Sequence, residues 1–116
     1  MASPDGTSVA EMKDAYEIAM GGPTQGSLEL SNGMKLECCS PSIQWSADSQ
    51  FLAVPQWTPD KRQRLIVVDM VNRYVKVFPG TYRVLQIESF DDGTIHGVDS
   101  PIHKPCMVNR HISELT

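Results

Sequence analysis

From Ser27 almost to the C-terminus, the chain is a series of short alternating apolar and polar runs separated by turn residues. Side chains of a strand repeat their face every two residues, so such alternation predicts half-buried strands. Ser27-Leu28-Glu29-Leu30 and Met34-Lys35-Leu36-Glu37-Cys38 flank Ser31-Asn32-Gly33. Asn-Gly between alternating runs predicts a hairpin with positive φ at both turn positions. Leu28, Leu30, Met34, Leu36 and Cys38 then form the inward face, and Cys39 faces the other way, partly exposed. Residues 41–80 hold four more strands. Residues 42–46 place Ile43 and Trp45 on one face, 47–50 supply turn chemistry, and 51–57 resume the strand. After a charged loop, Leu65-Ile66-Val67-Val68 is an unbroken apolar run, as expected of a strand buried on both faces. Val71-Asn72-Arg73 turns the chain into residues 74–78, which Pro79-Gly80 ends. Pro55 has no amide proton, which predicts an edge strand or a bulge there.

The ends of the chain are less regular. Residues 82–90 predict a long strand, Asp91-Asp92-Gly93 a tight turn, and 94–98 a returning strand. Residues 9–20 read two ways. Ser8-Val9-Ala10-Glu11 has the form of a capping box, and Val9, Met12, Tyr16 and Ala19 recur at helical spacing; Tyr16, Ile18 and Met20 instead alternate as in a strand. The balance favours a short helical turn over 9–13 and a strand over 16–20. Residues 1–116 are expected to be one domain, with 1–8 a flexible tail and 104–116 an extended or loosely docked one. The predicted class is all-β: an antiparallel meander of about eight strands, closed into a small barrel or folded into two packed sheets.

Residues 41–80 also carry a likeness. Trp45, Ser46, Asp48, Leu52 and Ala53, followed by Leu65, Val67 and Asp69, match the W-S-x-D-x-x-x-L-A and L-x-V-x-D hairpins of one β-propeller blade. The stretch resembles a blade of the tryptophan–aspartate-repeat or TolB-like kind. A propeller needs at least four blades, and 116 residues hold fewer than three. The resemblance therefore implies a blade-like sheet in a small fold, or a piece completed by oligomerisation.

Charge and composition narrow the function. Fourteen acidic and ten basic side chains give a net charge of −4, a poor match for nucleic acid, whose phosphates require a basic face. No apolar run reaches the ~20 residues of a membrane span, the N-terminus is unlike a secretory signal, and three cysteines, two adjacent, make no disulfide framework. The chain reads as cytoplasmic, with no cofactor. His103, Cys106 and His111 lie within nine residues, but zinc prefers two ligand pairs and only His103-x2-Cys106 has such spacing. A cysteine nucleophile needs a thiolate-favouring setting and a held histidine; Cys39 with His96 or His103 has no local signature of one. The preferred reading is a non-catalytic interaction module, of an immunity or inhibitor type or self-associating, whose partner is another protein, a basic one by charge complementarity, or a second copy. The alternative is a small enzyme or ligand- or metal-binding barrel using His96, His103, Cys106 and Cys39. Trp57 beside a basic loop has the make-up of a binding hot spot, so Pro55, Trp57, Lys61, Arg62 and Arg64 are the first candidate contact surface. Asp91 and Asp92, with Glu88 and Asp99, form an acidic second one.

Overall fold

A computed structural model describes residues 2–17, 24–99 and 106–115. Ten strands form two antiparallel sheets, and there is no α-helix among the described residues. The larger sheet contains β1 (Ala10–Glu17), β2 (Thr24–Leu30), β3 (Lys35–Cys39), β4 (Gln44–Trp45), β5 (Phe51–Trp57), β6 (Gln63–Asp69) and β7 (Tyr74–Val77). Its order is β1-β2-β3-β5-β6-β7, with β4 also paired to β5. The smaller sheet has the order β10-β9-β8, from β8 (Leu85–Asp91), β9 (Thr94–Asp99) and β10 (Cys106–His111), and a 3-10 turn over Ile112–Leu115 follows. Of the two predicted architectures, two packed open sheets are formed, and neither closes into a barrel.

β5 and β6 of the larger sheet contribute to two cores, one on each face. Leu52, Val54, Ile66 and Val68 point to one side, into a core with Ala10, Leu28, Leu30, Cys39, Trp45 and Met70. Ala53, Leu65 and Val67 point to the other, against Phe78, Tyr82, Leu85, Ile87, Phe90, Ile95 and Val108. The predicted double burial of residues 65–68 is thus observed. The first core draws side chains from β1–β3 and β5–β7 on one face of one sheet, which requires the sheet to bend over itself. The bend falls where β3 meets β5, a junction with a single paired position, Cys39 opposite Gln56.

That junction accounts for Pro55. The residue is buried in the middle of β5, a central strand, not an edge. Its carbonyl accepts the Ser40 amide, so the side that lacks an N–H faces the break between β3 and β4, and no bond to β6 is lost. The irregularity belongs to the neighbouring strand, in which residues 40–43 stand opposite Val54 and Pro55.

Bulges shift two further faces. Leu36 pairs with Leu28 but Cys39 with Gly26, one extra residue on β3, and Cys38 takes a left-handed φ of 57° there. The alternation slips by one, so Cys39 is buried and Cys38 exposed, the reverse of the simple alternating prediction. In β8, Ile87 pairs with Gly97 and Ser89 with His96; the extra Glu88 keeps Leu85, Ile87 and Phe90 on the core side.

The turns follow their sequences with one difference. Asp92 and Gly93 both have positive φ, as a two-residue hairpin turn requires, whereas in the 31–33 turn only Gly33 does. There the Gly33 amide donates to Leu30 and the Leu30 amide to Met34, a three-residue loop with glycine at the left-handed position. At the N-terminus the helical alternative fails. Residues 10–13 belong to β1, whose Ala10 and Met12 face the first core in strand alternation; residues 18–20 lie outside the described ones. Instead of trailing as a tail, residues 2–9 fold back through an Ala2–Val9 bridge, and Cys106–His111 is a fully registered partner of β9. Tyr82 makes only an isolated bridge to Gln63, so β8 begins at Leu85, later than predicted.

Gly97 is packed so closely that a Cβ would lie 2.6 Å from the Gln86 carbonyl oxygen. Gly97→Ala is therefore expected to destabilise the fold by about 1–3 kcal/mol, read as a lower midpoint in denaturant unfolding. An unchanged midpoint would mean that β8 and β9 separate at little cost.

Candidate functional site

The first candidate surface is only partly a surface. Pro55 is buried. Trp57, expected to be exposed, is half-buried, and its indole N–H is shut off from solvent with no acceptor among the described residues. Lys61, Arg62 and Arg64 are exposed, but two of them are engaged locally. Arg62 Nε donates to Thr81 Oγ1 at 2.9 Å, and Arg64 reaches Gln56 Oε1 through Nε at 2.9 Å and through its terminal nitrogen at 2.7 Å. Lys61, at φ 64°, occupies the tip of the loop that the Thr58 amide closes onto the Arg62 carbonyl.

Among the described residues, those of the catalytic or metal alternative do not converge. Cys39 is buried in the first core, and burial, with Cys38 and Glu37 nearby, pushes its thiol up to about 12, so it stays protonated near neutrality. His96 pairs with Asn109 and contacts its side-chain oxygen through Nδ1, while Cys106 pairs with Asp99 three residues further along β9. An odd separation along a strand puts the two side chains on opposite faces. The His111 amide donates to Glu114 Oε2 at 2.8 Å. His103 lies outside the described residues. Among those described, no three His, Cys, Asp or Glu side chains form a group able to hold a metal, and no helix is long and apolar enough to cross a membrane.

The acidic set is placed differently. Two adjoining clefts lie where the rims of the two sheets meet, and they share Ala47 and Phe90. The larger, about 380 Å³, is lined by Pro4, Gln44, Trp45, Ala47, Glu88, Ser89, Phe90 and Asp91. The smaller, about 140 Å³, adds Asp48, Phe51, Asp92 and Gly93. Aromatic side chains line them, four carboxylates stand at them, and neither lining includes a Lys, Arg or His.

Each carboxylate owes its position to local chemistry. Ser46, Asp48 and Ser49 build the β4–β5 turn. The Ser46 hydroxyl donates to Asp48 Oδ1 at 2.6 Å, the Gln50 amide donates to the same oxygen, and the Phe51 amide donates to Ser46 Oγ. These bonds, the Ser46 hydroxyl first and the Gln50 amide next, hold Asp48 below the usual carboxylate range. Asp91 and Asp92 come from the β8–β9 turn and Glu88 from the bulge, a device that re-aims a side chain. Gln44 Nε2 donates to the Glu88 carbonyl at 3.2 Å, fastening β4 to the bulge. The N-terminal loop closes over this end, its Asp5 amide donating to Ser49 Oγ at 3.0 Å. Asp5 is itself lowered to about 2 by the Thr7 hydroxyl and amide and the Ser3 hydroxyl.

Of the four acids expected from sequence, Glu88, Asp91 and Asp92 are brought together and Asp99 is not. Its carboxylate accepts the Arg83 and Val84 amides at 2.9 and 3.1 Å. Asp48, Gln44 and Pro4 were missed as site residues. Asp48 had a signal in the Ser-x-Asp turn, read there as turn chemistry alone. The basic loop and the clefts lie at opposite ends of β5, roughly 20 Å apart at strand rise.

The chain matches no protein-family model, no curated protein and no solved structure.

In the native protein Cys38 and Cys106 are expected to react with a maleimide at mildly alkaline pH, and Cys39 only after unfolding; intact-mass counting of adducts reads the difference. Asp69, 2% exposed, accepts the Val71 and Asn72 amides and the Asn72 side chain. Burial alone would raise its pKa, but these bonds and one from Tyr74 outweigh it and hold the carboxyl below its ordinary value. A depressed folded-state pKa contributes stability above the unfolded value near 4, which is lost as pH falls through the folded value. Asp69→Asn should therefore be less stable than wild type at pH 7, with the gap narrowing in acid. A gap independent of pH would mean that the charge contributes nothing.

Proposed function

We propose that this protein is a non-catalytic interaction module that receives a basic segment of another protein in the acidic clefts between the 46–50 turn and the β8–β9 turn. The observation that carries the reading is the lining itself: Asp48, Glu88, Asp91 and Asp92 around Trp45, Phe51 and Phe90, with no basic side chain among the lining residues. Arginine and lysine stems cover aromatic and apolar surface while their heads meet carboxylates, and charge complementarity steers such an encounter. An immunity-type or inhibitor role, in which a small acidic protein covers a basic region of its target, fits this chemistry. Thiols at Cys38, Cys39 and Cys106 suit a reducing compartment, and we place the protein in the cytoplasm. The order β4-β5-β6-β7, with Asp48 and Asp69 holding two of its turns, supports the likeness of this stretch to a propeller blade.

The test is an NMR titration of isotope-labelled protein with a penta-arginine peptide. Shifts are expected at residues 44–48 and 88–93. Paired Glu88→Lys and Asp91→Lys substitutions should weaken binding several-fold, and so should added salt, which screens exposed charges. Shifts confined to residues 61–64, or none, would overturn the assignment.

A further inference from the structure

The four outer edges of the two sheets are not equivalent. β8 has no strand beyond it among the described residues, and three of its backbone groups are bonded by side chains of the larger sheet: Gln63 Oε1 accepts the Leu85 amide, Ser42 Oγ accepts the Ile87 amide, and Gln44 Nε2 donates to the Glu88 carbonyl. β1 carries Glu11 and Lys13, a 3.0 Å ion pair, and a bulge after Lys13; charges and bulges are the usual protection of an edge. β10 likewise carries Arg110, ion-paired with Glu114 at 3.1 Å. β7 carries a single charged side chain, Lys76, and no bulge. Tyr74 and Val77 on it, and Val71 just before it, are exposed at 42%, 44% and 70%.

The register of β7 shows which of its groups are available. Phe78 donates its amide to the Leu65 carbonyl, and Ile66 stands opposite Val77. Hydrogen-bonded and non-bonded pairs alternate in an antiparallel ladder, so Tyr74 and Lys76 bond β6 while Val75 and Val77 turn N–H and C=O outward. No strand among the described residues receives them.

We propose that β7 pairs antiparallel with β7 of a second copy, about a two-fold axis at Val75. Side-chain charge chooses this register. An axis at Lys76 would set two ammonium groups directly opposite, which is destabilising. An axis at Val75 sets Lys76 against Tyr74 of the second copy, as a close non-bonded pair. Lys76 Nζ lies 5.3 Å from the Tyr74 ring centroid within one chain, and in this register each ammonium has a tyrosine ring of either copy within reach. On the other face Val75 meets Val75. The ladder is short, so the association belongs to the weak, transient class. The pairing is independent of the acidic clefts and holds or fails apart from them.

Sedimentation velocity over a concentration series, together with disulfide trapping, tests the pairing. In a Cys38→Ser, Cys106→Ser background, Val75→Cys places two thiols on paired residues about 5.5 Å apart at Cα, within disulfide reach. Val77→Cys places them four positions apart, roughly 13 Å. The expected result is rapid dimeric cross-linking for Val75→Cys and none for Val77→Cys under the same mild oxidant. Val75→Pro removes an outward amide without touching the β6 ladder and should abolish the concentration-dependent dimer; the Val75 side chain also packs against the first core, so the unfolding midpoint is expected to fall somewhat while the protein stays folded. A wild-type monomer at every concentration with no trapping at 75, trapping at 77 in preference to 75, or a dimer that survives Val75→Pro in a folded protein would each overturn the proposal.

Discussion

Everything in this fold depends on β5 and β6 being apolar on both faces. A two-stranded ribbon with one wet face could support only one core, and the smaller sheet would have nothing to lie on. Leu52, Val54, Ile66 and Val68 build one core, and Ala53, Leu65 and Val67 build the other. Each such aliphatic side chain contributes ~1.5–3 kcal/mol when fully buried, so the ribbon stabilises both layers and couples them. A change in volume at Val67 or Val68 is felt across a strand whose other side belongs to a different core, because close-packed interiors relax only partly.

Apolar contact alone does not fix how the small sheet sits. Burying the free edge of β8 without partners would cost about 1–3 kcal/mol for each unsatisfied backbone group. Gln63, Ser42 and Gln44 supply those partners, and the Gln63 backbone also exchanges hydrogen bonds of 2.8 and 2.6 Å with Tyr82. Gln63 is 1% exposed, an unusual place for an amide side chain. Its position at the start of β6, facing the start of β8, makes it the register pin between the sheets: sliding β8 by one residue would leave the Gln63 oxygen and the Leu85 amide both buried and unpaired. The same chemistry explains why β8 is not a sticky edge, in contrast to β7, whose outward groups face away from every described strand.

What could be read from the sequence was what local chemistry decides. Leu65-Ile66-Val67-Val68 announced its double burial because four apolar residues without alternation leave no polar face. Asp92-Gly93 announced a turn because its backbone needs positive φ. The bulges at Cys38 and Glu88 could not be read although each lies in a hairpin of neighbouring strands, since nothing in the local residue pattern marks the inserted residue, and a single insertion exchanges inside for outside. That slip buries Cys39 and aims Glu88 at the clefts, so it removed a candidate nucleophile and supplied part of a candidate binding site. Pro55 misled for a related reason. Its missing amide does need a gap, but the gap lies in the neighbouring β3–β4 strand, and no property of residues 51–57 records it. At residues 9–13 the capping-box form and helical spacing favoured a helical turn, and tertiary pairing with β2 overrode that local signal.

Charge is distributed by the same geometry. Turns at one end of β5 and at the joined end of the small sheet are made with aspartates, since short acidic side chains accept backbone amides in tight turns. The loop at the other end is made with Lys61 and Arg62, and Arg64 follows it. A net charge of −4 therefore understates the field of the molecule, which is acidic at the end where the sheets' turns meet and basic roughly 20 Å away. Turn chemistry accounts for Asp48 and for the Asp91-Asp92 pair individually; it does not account for their meeting, which needs Ser46, Gln44 and the Glu88 bulge to bring two sheets edge to edge. Asp48 shows how both roles fit in one residue. One of its carboxylate oxygens closes the turn through Ser46 and Gln50, and these bonds keep the group charged at the mouth of a cleft lined by Phe51 and Phe90.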